Sequence, residues 1–165
     1  QRQLVIRAAR GSDAGTIAAI YNHYIAHTVI TFEEEPLSAQ DMAVRMEETA
    51  GEDLPWLVAE LDDKLVGYAY AGKWKGRCAY RYAAEITVYL APAALGRGLG
   101  SSLYGALFQA LRERGLHTVL GGIALPNEAS VALHEKFGMH KAAHFREVGF
   151  KFGRWVDVAY WQGKL

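Results

Sequence analysis

The stretch Glu85-Ile-Thr-Val-Tyr-Leu-Ala-Pro-Ala-Ala-Leu-Gly-Arg-Gly-Leu-Gly-Ser-Ser-Leu-Tyr104 constrains the fold more than any other part of the chain. A β-branched and aromatic run gives way to glycines at 96, 98 and 100, and an amphipathic segment follows. That order reads as strand, turn and helix. Glycine lets the backbone approach a ligand closely, and the first amides of a new helix have no intrahelical acceptor, so the turn offers donors to phosphate oxygens. The expected ligand carries a pyrophosphate.

Several phosphate-binding turns share this outline. The dinucleotide fingerprint G-x-G-x-x-G fits poorly, because its third glycine would be Ser101 counted from Gly96 or Leu103 counted from Gly98, and no acidic residue follows at the usual distance. A P-loop needs Lys-Ser or Lys-Thr after its last glycine, where this chain has Gly100-Ser101. What remains resembles the acyl-CoA signature Q/R-x-x-G-x-G/A of the GNAT acetyltransferase superfamily, with Gly98 and Gly100 on its two glycines and Leu95 where Gln or Arg is usual. Backbone amides do not depend on the side chain at 95, so the departure is tolerable.

The chain has 165 residues and is 51% hydrophobic, enough for one domain with a substantial core and too short for two of ordinary size. A single domain over 1–165 is expected. Eighteen basic residues balance eighteen acidic ones, which gives no electrostatic footprint for nucleic acid or an anionic membrane. A lone cysteine, Cys78, excludes an internal disulfide, and no apolar run reaches membrane-spanning length. A soluble, cytoplasmic protein acting on a small molecule or peptide is the expectation.

Hydrophobic spacing predicts a strand at Val5-Ile6, a helix from Ser12-Asp13 to about His27, and a second helix around Met42 to Thr49 capped by Ser38 with Asp41. Strands at Trp56–Glu60 and Leu65–Tyr70 form a hairpin, followed by a strand from Ala83 to Leu90. A helix spans Gly98 to Arg114, a strand His117 to Ile123, and a helix runs from an Asn127 cap to Gly138. Two strands joined near Gly153 close the chain. This β-α-α-β-β-β-α-β-α-β-β order is α+β and matches the GNAT fold, a mixed central sheet of about seven strands flanked by about four helices.

One branch matches more closely. Trp56-Leu-Val-Ala-Glu60, Ala71-Gly-Lys-Trp-Lys-Gly-Arg-Cys-Ala-Tyr80, Glu85 with Thr87-Val-Tyr89, Leu125-Pro-Asn127, Leu133-His-Glu135 and the tail Gly149 to Val158 resemble phosphinothricin and methionine sulfoximine acetyltransferases. The resemblance implies acetyl-CoA as donor and the α-amine of a small amino-acid-like compound as acceptor, and no metal is expected. An ammonium must lose a proton before it attacks a thioester, and Glu85, on the strand leading into the glycine turn, is the candidate base, the role the family assigns it. His134 stands where this branch carries a histidine, as proton donor to the CoA sulfur or partner in deprotonating the amine. The branch places CoA contacts on the backbone of Val88, Tyr89 and Leu90, where pantetheine amides pair with a strand edge. It places further ones at Gly96, Arg97, Gly98, Leu99, Gly100, Ser101 and Asn127.

For the acceptor, the basic, aromatic segment Lys73 to Tyr82 precedes Glu85, and arginine holds carboxylates and phosphinates through paired hydrogen bonds. Arg77 and Arg81 are the candidates, with Lys75 and Tyr80 behind them; Thr87 and Phe32 follow from the branch match. His23 and His27 lack the acidic residue of a zinc pattern, and nothing marks Cys78 as activated. The aromatic tail from Phe145 to Trp161 is a candidate homodimer contact. Two alternatives stay open: acetylation of a protein N-terminus or polyamine, and a non-catalytic acyl-CoA sensor. Lys75, Arg77 and Arg81 argue against a polyamine, and Glu85 with His134 argues against a sensor.

Overall fold

The computed structural model describes residues 3–165. Seven strands, β1 (Leu4–Ala8), β2 (Trp56–Leu61), β3 (Lys64–Lys73), β4 (Ala83–Leu90), β5 (Thr118–Ala124), β6 (His140–Lys151) and β7 (Arg154–Lys164), form one sheet in the order β1-β2-β3-β4-β5-β7-β6. Every neighbouring pair is antiparallel except β4 with β5. Four helices cover it: α1 (Ala14–His27), α2 (Ala39–Gly51), α3 (Leu99–Glu113) and α4 (Glu128–Lys136).

Each face has its own core. On α3, Leu103, Tyr104, Leu107, Phe108 and Leu111 recur at helical spacing and are all buried, over Ala59, Ala69, Ala71 and Ala84 of the sheet. Those small side chains let the helix lie close, leaving room for the bulk of Phe108 and Tyr104. On the opposite face Ile17, Tyr21 and Tyr24 of α1 and Met42 and Met46 of α2 pack on Trp56, Val58 and Tyr68.

Local signals set most boundaries. The Ser38 hydroxyl accepts from the Asp41 amide at 3.0 Å and the Asp41 carboxylate accepts from the Ser38 amide at 3.0 Å, a reciprocal cap that opens α2. Asn127 Oδ1 accepts from the Ser130 amide at 3.2 Å and opens α4. The Ser12-Asp13 cap works differently from expectation. The Asp13 carboxylate makes no cap bond to α1; it accepts from the Arg10 amide at 2.7 Å and from Arg7 at 2.8 and 2.9 Å, fastening the helix start to β1 instead. α2 also runs longer at both ends than the apolar pattern implied, and β3 extends past Tyr70 to Lys73, the start of the basic, aromatic segment.

Candidate active site

The site originates in a break in the sheet. β4 and β5 pair at only three positions, Ala83 with Thr118, Ala84 with Val119 and Glu85 with Leu120. Beyond Glu85, β4 stays with β3 as far as Leu90, and β5 stays with β7 as far as Ala124. The two strands therefore part, and a cavity of about 250 Å³ opens between them, lined by Glu85, Thr87, Val88, Tyr89, Tyr104, Asn127 and His134 together with Phe32. The β4 backbone from Ile86 onward has no ladder partner on this side, so its peptide groups remain for another extended chain.

The cavity continues into a groove of about 530 Å³ that shares Val88, Tyr89, Asn127 and Ser130 and adds Leu90, Gly96, Gly98, Leu99, Gly100 and Ser101. Gly96 and Gly98 take left-handed conformations, with φ of 78° and 75°, and nothing stands within 4 Å of where a Cβ would sit. Gly98 opens α3 without a side-chain cap, which leaves the first-turn amides of the helix free to meet an anion. Gly100 has a different reason to be glycine: a Cβ there would lie 3.3 Å from Leu133 Cδ2, so it sets how closely α3 approaches α4. Arg97 is exposed on the turn. The Leu90 carbonyl accepts a 2.5 Å hydrogen bond from Tyr24 Oη, so it is already partnered. Lys136, which the sequence did not single out, lines the groove and donates to Ser101 Oγ at 3.0 Å, beside the start of α3.

Side-chain alternation on β4 separates the chemistry onto two faces. Ala84 and Ile86 point into the α3 core, so Glu85 and Thr87 face the other way. Burial pushes the Glu85 carboxyl above the ordinary carboxylate range, and the positive charge of Lys75 partly offsets this. On the α3 face, His134 is 3% exposed; its Nδ1 lies 2.7 Å from the Ser130 carbonyl and its Nε2 lies 3.2 Å from Tyr104 Oη. A carbonyl only accepts, so Nδ1 carries the proton, and in the neutral ring Nε2 accepts from the Tyr104 hydroxyl. Burial pushes the His134 pKa down and the Tyr104 pKa up, which keeps both groups neutral.

Two consecutive glycines on β5 make space for rings on both faces. A Cβ on Gly121 would lie 2.5 Å from His134 Nε2, and one on Gly122 would lie 3.0 Å from the Tyr160 ring. Tyr160 belongs to a second cavity of about 480 Å³ on the Glu85 face, lined also by Phe32, Phe145, Val148 and Val158. Glu85 and Phe32 line both cavities, and Glu85 thus stands where the second cavity meets the opening in the sheet.

The basic segment is placed less centrally. Lys75 lies near enough to bias Glu85, and its Nζ sits 4.6 Å from the Trp74 ring, which in turn meets Tyr160 at 5.5 Å. Arg77, Tyr80 and Arg81 are exposed on the loop between β3 and β4 and line neither cavity; Arg81 donates to the Cys78 carbonyl and stacks on Tyr82. Among the described residues no group of three or more His, Cys, Asp or Glu side chains is arranged to hold a metal ion, and no helix is long and apolar enough to cross a membrane.

Tyr104, Gly122, Lys136 and Tyr160 line these cavities and Gly121 makes room for the His134 ring, and sequence reasoning singled out none of them as site residues. Tyr104 sits in an apolar helical stripe and Tyr160 in an alternating strand, where either reads as core; only the Gly121-Gly122 pair, inside a strand pattern, signalled a close approach.

Comparison with known proteins gives concordant results. Residues 6–160 match the family model described as acetyltransferase (GNAT) domain. The chain is 37% identical to the phosphinothricin N-acetyltransferase of Streptomyces coelicolor, over 99% of this chain and 97% of that protein. It is 35% identical to the L-methionine sulfoximine/L-methionine sulfone acetyltransferase of Salmonella typhimurium, over 98% and 95%. The solved structure of a GNAT superfamily phosphinothricin acetyltransferase from Sinorhizobium meliloti in complex with acetyl-CoA superposes with a TM-score of 0.95 at 34% identity, covering 98% of this chain and 88% of that one.

Proposed function

The chain belongs to the GNAT acetyltransferase family, and on that premise we propose that Glu85 and the Tyr104–His134 pair carry acetyl transfer to the α-amine of a small amino-acid-like acceptor of the phosphinothricin, methionine sulfoximine or methionine sulfone type. The enzyme is an acetyl-CoA-dependent N-acetyltransferase. One observation carries the assignment of roles: Glu85 borders both the opening in the sheet and the separate cavity beyond it.

The residues present fit acetyl-CoA. Open space over left-handed Gly96 and Gly98, with uncapped amides of Leu99, Gly100 and Ser101 behind them, suits a pyrophosphate, and Arg97 and Lys136 add positive charge at its rim. The unpaired edge of β4 at Val88 and Tyr89 suits the amides of pantetheine. When bound, acetyl-CoA supplies an activated acetyl thioester.

The protein's part is proton management and orientation. Glu85, on the acceptor face, takes the proton from the acceptor ammonium, directly or through one water, and its raised pKa improves its match to that task. On the far side of the opening, Tyr104 Oη donates toward His134 Nε2, whose tautomer is held by the Ser130 carbonyl. A histidine held neutral is not a ready acid, so of the two roles left open for His134 we favour accepting a proton over donating one to sulfur. Thr87 and Phe32 shape the space between, and Lys75, with Arg77 and Arg81 further out on the same loop, attracts an acceptor that bears a carboxylate and a second polar head.

Phe145, Val148, Phe150, Phe152 and Trp155 are each about half exposed or more on β6, β7 and the turn between them, and we assign them to a homodimer contact. The cytoplasm, which holds acetyl-CoA, is the proposed compartment, and an acceptor of the phosphinothricin kind would make the enzyme a herbicide-resistance determinant. The test is release of CoA thiol with L-phosphinothricin, L-methionine sulfoximine, L-methionine sulfone, ordinary amino acids, spermidine and a short peptide. Saturable turnover confined to the first three is expected; turnover with only the peptide or spermidine would replace the acceptor.

A further inference from the structure

Lys151 is 2% exposed, an unusual place for an ammonium group, and the mechanism above does not use it. It ends β6, and its Nζ donates to the Thr31 carbonyl at 2.8 Å across 120 positions of sequence. Thr31 lies in the segment between α1 and α2, which brings Ile30, Thr31 and Phe32 to the reaction cavity and Ile30 and Phe32 to the acceptor cavity. We propose that Lys151 is a positioning residue for the acceptor pocket, clamping this segment so that Phe32 forms a fixed wall opposite Glu85.

The surrounding bonds give the clamp its specificity. The Thr31 hydroxyl lies 2.7 Å from Tyr21 Oη, and the same Tyr21 hydroxyl donates to the Glu33 carboxylate. Arg45 of α2 grips that carboxylate with two bonds of 2.6 and 2.9 Å. Residues 31 and 33 are therefore tied to α1 and α2, and Lys151 supplies a hydrogen bond that ties the segment to β6. Between them Phe32 rests on Gly149, two positions before Lys151, so closely that a Cβ on Gly149 would lie 2.3 Å from the ring. Glycine at 149 and lysine at 151 thus act on the same segment, one by yielding space and the other by holding the backbone. A lysine stem crosses apolar surroundings while its head makes a charge-assisted bond, which a neutral side chain of the same length would not supply.

The inference rests on reading this cavity as the acceptor site, and two readouts keep the two apart. Lys151→Met is expected to raise KM for the best acceptor of the panel by ~10-fold to ~100-fold, the usual cost of losing a hydrogen bond to a charged group, while KM for acetyl-CoA stays within ~2-fold. Lys151→Gln, which keeps an N–H donor, is expected to recover part of that loss. Gly149→Ala leaves the lysine in place and displaces Phe32 from the other side, and it is expected to give the same split. Independently of any acceptor, amide hydrogen exchange of residues 28–37 should accelerate in Lys151→Met with the α3 core unchanged. Unchanged exchange in that segment, or an acceptor KM equal to that of the parent enzyme, overturns the clamp. A parent enzyme that turns over none of the amino-acid-like acceptors, with exchange accelerated as expected, instead removes the acceptor assignment and keeps the clamp.

Discussion

At the scale of single residues, Glu85 is held in an environment that costs stability and suits its proposed role as base. Its folded pKa is raised, so the native state binds the proton more tightly than the unfolded chain. The stabilising contribution of this carboxyl is present below the unfolded pKa and is lost as pH rises through the folded value. Glu85→Gln, a neutral isostere, should therefore raise Tm at neutral pH while lowering kcat/KM by ~10²-fold to ~10⁴-fold, measured by calorimetry and CoA release. His134 has the opposite sign. Its folded pKa is depressed, so the unfolded chain takes the proton first as pH falls, and stability declines below the ordinary histidine value of 6.5. Tyr104→Phe removes the donor to Nε2 and should lower kcat by about 10-fold with acetyl-CoA affinity retained. Glu85 stood out in the sequence because a charge on an apolar strand needs an explanation. Tyr104 did not, because its spacing from Leu103 and Leu107 is that of any core position, and its partner is 30 residues away.

Among the elements, β5 and the start of α3 do the positioning. Gly121→Ala would push a methyl group into the space of the His134 ring, and a displacement of about 1 Å at a catalytic group is enough for ~10²-fold in kcat. Gly98→Ala acts elsewhere. A left-handed φ of 75° strains any residue with a Cβ by about 1 to 2 kcal/mol, so KM for acetyl-CoA should rise by about 10-fold while the site beyond the opening is unaffected. Steady-state kinetics on the two variants separate these effects. The element order was legible because the elements carry their own periodicity and two helices carry side-chain caps: Ser38 with Asp41 opens α2, Asn127 opens α4, and alternation marks β2 and β3. What no local pattern contains is the parting of β4 from β5 after Glu85. That depends on β5 following β7 while β4 follows β3, pairings set by residues more than 30 positions apart in one case and by consecutive antiparallel strands in the other. Sequence proximity also says little about reach: Arg77 and Arg81 share a sequence neighbourhood with Glu85 but line neither cavity.

Taken whole, the molecule is a sheet opened near its middle, with the proposed donor and acceptor spaces meeting at the opening. Acetyl-CoA that binds the native state alone at about 100 times its Kd should add about 2.7 kcal/mol of stability, a Tm increase of roughly 5 to 11 °C for a chain of this size. Placing the acceptor base on one face and the Tyr104–His134 pair on the other explains why a single strand supplies both Glu85 and the proposed pantetheine contacts at Val88 and Tyr89: the sheet is the partition, and β4 forms its edge. The most direct test of that account is the pH dependence of kcat/KM for the best amino-acid-like acceptor, compared between the parent enzyme and Glu85→Gln. The account predicts an acid limb in the parent above the ordinary glutamate range, and loss of both that limb and ~10²-fold or more of the rate in the variant. A variant that keeps the parent's rate and the same acid limb would contradict it.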